Sequence, residues 1–425
     1  MAAAGRPERV TVIGAGLVGL CTAWFLQEQG LQVTVLERTA VAAGASLGNA
    51  GWITPALVSP LPDPAILREG LRAIAGRSRA VQIPISLDLR LAAFLWRFTR
   101  NCTPRRRDEA QAALSMLSDH ALSAFDALAG VGTGGGAAAP AAISGQPVLA
   151  AYQSPGERAP MLAELREFAR RPGAGVDFDV LDGPAVQQAE PILTGAARAA
   201  VRIHGQRYLD PGPFLDALAD SIRRRGGTIR TGTEVTALHD DGSAVTITSR
   251  VSDDETRSDC VVLATGAWLG ALAHRAGVRV RVQSGRGYSF SVPMAQLPAG
   301  PVYLPDQRLA CTPMPGGRLR VAGVMELRRP EAALDRARIT VMADDVRALL
   351  AGADTGRRAD EWVGARPCTP DGLPVIGATR SPRIFVAGGH GMWGITLGPA
   401  TGQLLAQAIA TGRTPPDLAP FNPAR

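Results

Sequence analysis

The chain has no lysine: all 45 of its basic residues are arginine. That absence excludes a Walker-type phosphate lysine and any Schiff-base lysine. Cysteine is scarce and scattered. Cys21, Cys102, Cys260, Cys311 and Cys368 form an odd set without CxxC spacing. This excludes a disulfide framework and a structural zinc site, and it suits a reducing compartment. The longest apolar run is broken by glycines and too short to span a bilayer. Residues 1–9 carry charge but no apolar core of a signal peptide, so the expectation is a soluble, cytoplasmic protein. Aromatics make up only 5% of the residues, and none interleaves the arginine runs at 105–107 and 223–225. The formal charge of +7 therefore reads as solvated helix ends and turns rather than a nucleic-acid surface.

What is present is organised around residues 10–38. A short apolar strand, 10–13, runs into Gly14-Ala15-Gly16-Leu17-Val18-Gly19; a helix follows to residue 29, and a second strand, 32–36, ends in Glu37-Arg38. Gly14 permits the tight turn, Gly16 lets a pyrophosphate approach the backbone, and Gly19 lets the helix lie close on the strand. The helix N-terminus then offers free N–H groups and positive dipole to phosphate oxygens. Glu37, about 20 residues on, can accept from both ribose hydroxyls. The acidic tip disfavours a 2′-phosphate and hence NADP, and leaves NAD and FAD open.

A chain of 425 residues holds two domains or one large composite. Residues 44–52 are small and polar, and read either as a plain loop or as backbone lying against something flat. Residues 66–129 are mostly helical by apolar spacing, and 130–140 form a Gly/Ala surface loop. Strands are expected at 148–152 and near 180, with helices at 157–170 and 183–190. Asp210-Pro211 starts a helix over 214–225, followed by strands at 228–230, 235–239, 244–249 and 260–263. The last is fully apolar and ends in Ala264-Thr265-Gly266, the profile of a buried parallel strand facing a ligand. Alternation at 279–282, 288–292, 309–312 and 318–324, with a helix at 342–351, predicts a half-buried antiparallel sheet. A turn-rich segment at 366–377, an apolar strand at 384–387 and a glycine-rich turn lead into a helix at 399–409.

Five landmarks in register resemble the D-amino-acid oxidase/dehydrogenase family of flavoproteins, with bacterial D-amino-acid dehydrogenases the nearest in pattern. They are residues 12–19, Glu37-Arg38, Ser46-Leu47-Gly48-Asn49-Ala50-Gly51, Ala264-Thr265-Gly266-Ala267-Trp268, and Gly364 to Gly372 with Gly389-His390-Gly391. The resemblance covers nearly the whole chain. It implies an α/β protein, with a Rossmann-type FAD-binding domain built from discontinuous segments (1–65, 205–275 and 362–425). A substrate domain with an antiparallel sheet (66–204 and 276–361) completes it.

The implied cofactor is non-covalent FAD. Gly14 and Gly16 would meet its pyrophosphate, Glu37 its adenosine ribose and Val235 its adenine, with Ile13, Leu17, Val18 and Arg38 also among the cofactor-binding residues. Gly44, Ala45, Ser46, Asn49, Ala50 and Gly51 would run beside the isoalloxazine, with Ala264, Thr265 and Gly266 near the phosphates. Gly389, His390, Gly391, Met392, Trp393, Gly394 and Thr396 would supply N–H groups and helix dipole where a reduced flavin carries negative charge. On the substrate side, Arg366 matches a carboxylate clamp, a role suited to a planar, always-charged fork. An arginine paired with a structural acid is the alternative. Arg286 and Tyr288 sit where relatives carry a basic residue and an aromatic at the cavity wall. His390 is read as packing support rather than a base, and Cys368 as a free thiol rather than a covalent flavin anchor.

Two departures bear on chemistry. Met392 stands where some relatives carry an arginine after the histidine, and the lysine that some family oxidases place over the flavin is missing. The expectation is oxidative deamination of a D-amino acid, with electrons passed to a quinone or other carrier and peripheral contact with the inner face of the cell membrane. The alternatives are a glycine, sarcosine or imino-acid oxidase using oxygen and, more distantly, a non-catalytic nucleotide- or RNA-binding protein.

Overall fold

The computed structural model describes residues 6–67, 81–82, 88–130, 143–144, 146–170, 175–250 and 256–425. Residues 131–140 of the expected loop at 130–140 lie outside them, as do 68–80 and 83–87 of the mostly helical stretch expected at 66–129. Within that helical stretch, Val81–Gln82 is a short strand paired parallel to Met325 and Glu326.

The opening unit folds as its glycine spacing dictates. Strand Arg9–Ile13 and strand Gln32–Leu36 pair in parallel, with helix Leu17–Glu28 between them. They sit at the centre of a six-stranded sheet in the order Thr228–Arg230, Gln32–Leu36, Arg9–Ile13, Cys260–Leu263, Ile384–Gly388, Val375–Ala378. All neighbours run parallel except the last pair. The central strands are buried on both faces, which is why Cys260–Leu263 reads as an uninterrupted apolar run. Helices Leu17–Glu28 and Gly394–Thr411 pack backbone to backbone. A Cβ on Gly402 would lie 2.7 Å from the Thr22 nitrogen.

A second sheet of nine strands carries the other core. Its spine is Ala359–Cys368, Gln283–Pro293, Arg318–Leu327 and Leu309–Met314, all antiparallel. Helix Arg336–Leu349 covers one face and buries Ile339, Met342 and Val346 against Tyr288 and Phe290. Strand Ala359–Cys368 belongs to this sheet along its whole length and so crosses the expected boundary at 362.

Several expectations are corrected. Residues 279–282 form no strand; they run as irregular chain, and Val280 and Val282 pack against the core beside Cys260–Leu263. The strand starts at Gln283 instead and is eleven residues long. Ala199–Ile203 is a buried strand that apolar alternation did not flag. Helix Gly394–Thr411 starts five residues earlier than expected and contains Pro399 in its first turns.

The glycines of the opening motif and of the 44–52 segment separate into two physical classes. A Cβ on Gly19 would stand 1.9 Å from the Gly14 carbonyl oxygen, whereas Gly44 has nothing within 4 Å. Gly19→Ala is therefore expected to cost about 1–3 kcal/mol through overpacking, and Gly44→Ala to stay within about 0.5 kcal/mol. Equilibrium denaturation of both variants checks this; equal losses would show that the close helix–strand approach is not what Gly19 serves.

Candidate active site

One cavity of about 2100 Å³ runs along the C-terminal edge of the six-stranded sheet. It exceeds the roughly 300–1,000 Å³ of ordinary small-molecule sites, which leaves room for a dinucleotide and a substrate together. The sheet edge explains its position. Parallel strands Arg9–Ile13, Cys260–Leu263 and Ile384–Gly388 all end there, and each hands over to a glycine-containing turn.

Two of those turns open helices with no side-chain cap. Helix Leu17–Glu28 begins at Gly16 and helix Gly394–Thr411 at Trp393; neither has an acidic residue in its first turn. The unpaired N–H groups and positive dipole ends of both helices are thus available to anions at this wall. The Ser46 hydroxyl accepts from the Leu17 amide at 3.1 Å. Glu37 spans the motif: its Oε2 accepts from the Ala15 amide at 2.9 Å, and its Oε1 accepts from the Thr39 amide at 2.9 Å.

The residues singled out by the sequence distribute unevenly. Ile13, Gly14, Gly16, Leu17 and Val18 line the cavity, as do Glu37, Arg38, Gly44, Ala45, Ser46 and Asn49. So do Val235, Ala264, Thr265 and Gly266, and from the last segment His390, Gly391 and Gly394. Arg38 lays its guanidinium 3.7 Å from the centre of the Trp268 ring. The others stand behind the wall. Ala50 offers its carbonyl to the Thr312 hydroxyl, and Gly51, with φ +78°, lets Leu209 approach. Trp393 donates its indole N–H to the Ser59 carbonyl, and the Thr396 hydroxyl donates to the Trp52 carbonyl. Gly389 abuts Thr369, and Met392 is partly exposed to solvent. Met392 apart, these residues fasten the cavity-lining loops.

Three buried polar atoms at the wall lack a protein partner among the described residues: Thr265 Oγ1, Ser284 Oγ and His390 Nδ1. Gly16, Gly44, Gly266 and Gly391 also face open space where a side chain would stand, with Ser46 Oγ at 3.5 Å from a Gly16 Cβ the nearest contact. Uncapped helix ends, orphaned polar atoms and bare backbone are the features a dinucleotide cofactor requires, so the residues present fit one.

The two arginines of interest lie on opposite faces of one sheet. Arg366 pairs in register with Gly285, and Arg286, one residue on, pairs with Ala365 and Glu326. Successive side chains on a strand alternate, so only Arg366 reaches the cavity. Its Nη1 donates to the Val324 carbonyl at 2.9 Å, and no carboxylate pairs with it among the described residues. Burial draws its pKa below the ordinary value, yet a guanidinium stays charged at any physiological pH. Arg286 is fully buried beneath helix Arg336–Leu349, with Nη2 donating to the Ala333 carbonyl and Nη1 at 3.6 Å from Glu326. The Tyr288 hydroxyl donates to Glu326 at 2.7 Å, and burial followed by that carboxylate pushes its pKa up to about 12. Neither residue lines the cavity; both are held with Arg338 in a buried ionic cluster around Glu326.

His390 is 4% exposed, with Nε2 at 2.9 Å from the Thr401 hydroxyl. Burial lowers its pKa to about 4. The Cys368 thiol is buried and its pKa pushed up to about 11, leaving it protonated and unreactive. Trp362 is a contact the sequence reading missed. Its ring occupies the space that Cβ atoms on Gly48 and Gly364 would need, at 2.1 and 1.7 Å. It ties the 44–51 loop to the strand that carries Arg366. The signal lay in the two glycines, which become meaningful only once sheet and loop are seen to meet.

Comparison with known proteins agrees with this geometry. Residues 9–408 match the DAO family, described as FAD dependent oxidoreductase. A D-amino acid dehydrogenase of Methylobacterium radiotolerans is 32% identical over 414 residues, covering 96% of each chain. Two solved structures share the fold. Glycine oxidase from Geobacillus kaustophilus aligns with a TM-score of 0.71 at 22% identity, over 98% of this chain and 99% of that one. L-amino acid deaminase from Proteus vulgaris aligns with a TM-score of 0.71 at 16% identity, over 100% and 98% respectively. The chain belongs to the DAO family of FAD-dependent oxidoreductases. FAD is its cofactor, and the cavity is where its residues would hold it.

The buried imidazole gives a pH signature. A histidine whose pKa is about 4 when folded, against an ordinary 6.5, resists protonation only in the folded state. Its stabilising contribution is fully present above about pH 6.5 and is lost as pH falls towards 4, amounting to at most about 3 kcal/mol. His390→Gln should flatten that acid limb while leaving the profile above pH 7 parallel to wild type, read by denaturant unfolding across pH. An unchanged acid limb would mean the histidine is not buried neutral.

Proposed function

We propose that this chain oxidises the Cα–N bond of a D-amino acid. The imino acid produced is hydrolysed to a 2-oxo acid and ammonia, and the electrons pass to a quinone or other carrier. The observation that carries the reading is Arg366: a guanidinium without an acidic partner among the described residues, on the wall of the cavity where the dinucleotide motif opens. A planar fork of this kind takes a carboxylate in two parallel hydrogen bonds. Bound FAD supplies the hydride acceptor. The chain's own contribution is orientation. Arg366 anchors the carboxylate so that the Cα–H is presented at about 3–3.5 Å from the accepting atom. His390, neutral and hydrogen-bonded to Thr401, supports the wall. The name carried by the M. radiotolerans relative supports the D-amino-acid substrate. The fold is neutral on stereochemistry, being shared with an L-amino acid deaminase and a glycine oxidase.

Anaerobic mixing of the FAD-loaded protein with D-amino acids, L-amino acids and N-methyl glycine tests the reading by loss of flavin absorbance. D-isomers should bleach and L-isomers should not. Bleaching by L-isomers alone contradicts it, and rapid peroxide formation from N-methyl glycine in air would favour an oxygen-using amine oxidase. Arg366→Ala should lower the efficiency of reduction at least about tenfold to a hundredfold, since hydrogen bonds to charged groups contribute about 1.5–3 kcal/mol. It should also erase most of the preference for the acid over its decarboxylated amine. Retention of that preference would make Arg366 structural.

No helix among the described residues is long and apolar enough to cross a membrane. The proposed peripheral contact rests on helix Leu89–Asn101, which also borders the cavity and leaves Leu89 84% and Trp96 60% exposed beside Arg90, Arg97 and Arg100, the last lying 4.8 Å from the centre of the Trp96 ring. Apolar side chains flanked by arginines suit an anionic lipid surface. Flotation with vesicles containing anionic lipid should carry the protein at low salt, and Trp96→Ser with Arg97→Ser should weaken it severalfold. Equal flotation with neutral vesicles, or none, contradicts the contact.

A further inference from the structure

The strand facing Arg366 carries two glycines, Gly285 and Gly287, on the same face of the sheet. The three heavy atoms nearest to a Cβ built on Gly287 all belong to Arg366: Cζ and Nη2 at 2.2 Å and Nε at 2.6 Å. The guanidinium therefore occupies the volume of the missing side chain and rests on bare backbone. Gly287 does not have a positive φ, so its backbone does not require glycine; the space above it does.

The other strand at this point is distorted. Arg286 pairs with Glu326 and Tyr288 with Gly323, so Gly287 alone faces two residues, Val324 and Met325. This is a β-bulge. Val324 takes φ +46°, a left-handed conformation that is strained for a β-branched residue. Its carbonyl accepts from Arg366 Nη1 at 2.9 Å. Nε and Nη2, the edge that pairs best with a carboxylate, make no hydrogen bond to a described residue.

We infer that Gly287 and the Val324 bulge are a positioning device for carboxylate recognition, with Gly287 a specificity-determining residue. One seats the Nε–Nη2 side of the guanidinium on bare backbone and the other pins Nη1, so that the fork is held at the cavity wall with Nε and Nη2 left for a ligand. The inference rests on the reading of Arg366 as a carboxylate clamp. A long arginine side chain otherwise samples many rotamers, and fixing it in advance removes an entropic cost from substrate binding. Because the colliding atoms are the far end of a flexible side chain, a Cβ at 287 displaces the fork without breaking the sheet. Its effect falls on binding selectivity more than on stability.

The test uses FAD-loaded protein and an unreactive pair of ligands, benzoate and benzamide, titrated by perturbation of the flavin spectrum and by calorimetry. Gly287→Ala should weaken benzoate at least tenfold, change benzamide less than twofold, and leave FAD content unchanged. Arg366→Ala should weaken benzoate similarly, and the double variant should be no weaker than Arg366→Ala alone, since both changes remove one interaction. If Arg366→Ala leaves benzoate binding intact, the clamp reading itself fails. If Arg366→Ala weakens benzoate and Gly287→Ala does not, only the positioning inference fails. Should Gly287→Ala fold poorly, adding Arg366→Ala must restore folding and FAD content, because the guanidinium is what the new Cβ meets; absence of that rescue overturns the inference.

Discussion

Two helices begin at one edge of the parallel sheet with no cap from their own N-cap residues, and Ser46 takes up only the Leu17 amide of the first. Backbone N–H groups left unpaired in a protein interior carry a free-energy penalty of about 1–3 kcal/mol each, so this arrangement makes sense only where a ligand completes it. The surrounding architecture follows from that requirement. Glycines at 14 and 19 bring the first helix close to the sheet, and the packing of Gly402 on Thr22 brings the last helix alongside it. Three strands distant in sequence end at the same edge. Glu37, already holding the Ala15 and Thr39 amides, keeps the turn in shape while presenting carboxylate oxygens to the cavity.

The second sheet supplies a further cation facing the same space, Arg366. Its alternation sorts the arginines by role. One face buries Arg286 and Arg338 around Glu326, where the ionic cluster secures helix Arg336–Leu349 to the sheet. The opposite face carries Arg366 above a strip of glycines, with the Trp362 ring reaching across to Gly48. The 44–51 loop and the strand bearing Arg366 are therefore locked together, and relative movement of the two would cost the packing of an indole ring.

Much of this was legible in the sequence wherever the signal was local. The first βαβ unit, strands at 148–152, 228–230 and 260–263, and the Asp210 cap of helix Pro211–Arg224 stand almost where spacing and turn chemistry placed them. Glycine-rich stretches separated by hundreds of residues do meet at one cavity. What failed to show depended on partners. Residues 279–282 alternate like a strand but face no neighbour to pair with. Ala199–Ile203 is rich in alanine and shows little β propensity, yet lies between two strands. The side of the sheet taken by Arg286 follows from a register one residue away from Arg366, and a single-residue shift reverses a side chain's face. The bulge at Val324 has no sequence signature, because valine is the residue least expected in a left-handed turn.

The central claim is that the cavity holds flavin at the paired helix ends and a carboxylate on the free edge of Arg366. A crystal structure of the FAD-bound protein with a saturating unreactive carboxylate tests it directly. The account predicts pyrophosphate oxygens at the N-terminus of helix Leu17–Glu28 and carboxylate oxygens within hydrogen-bonding distance of Arg366 Nε and Nη2. A carboxylate bound at another cation, or a guanidinium turned away from the ligand, would contradict it.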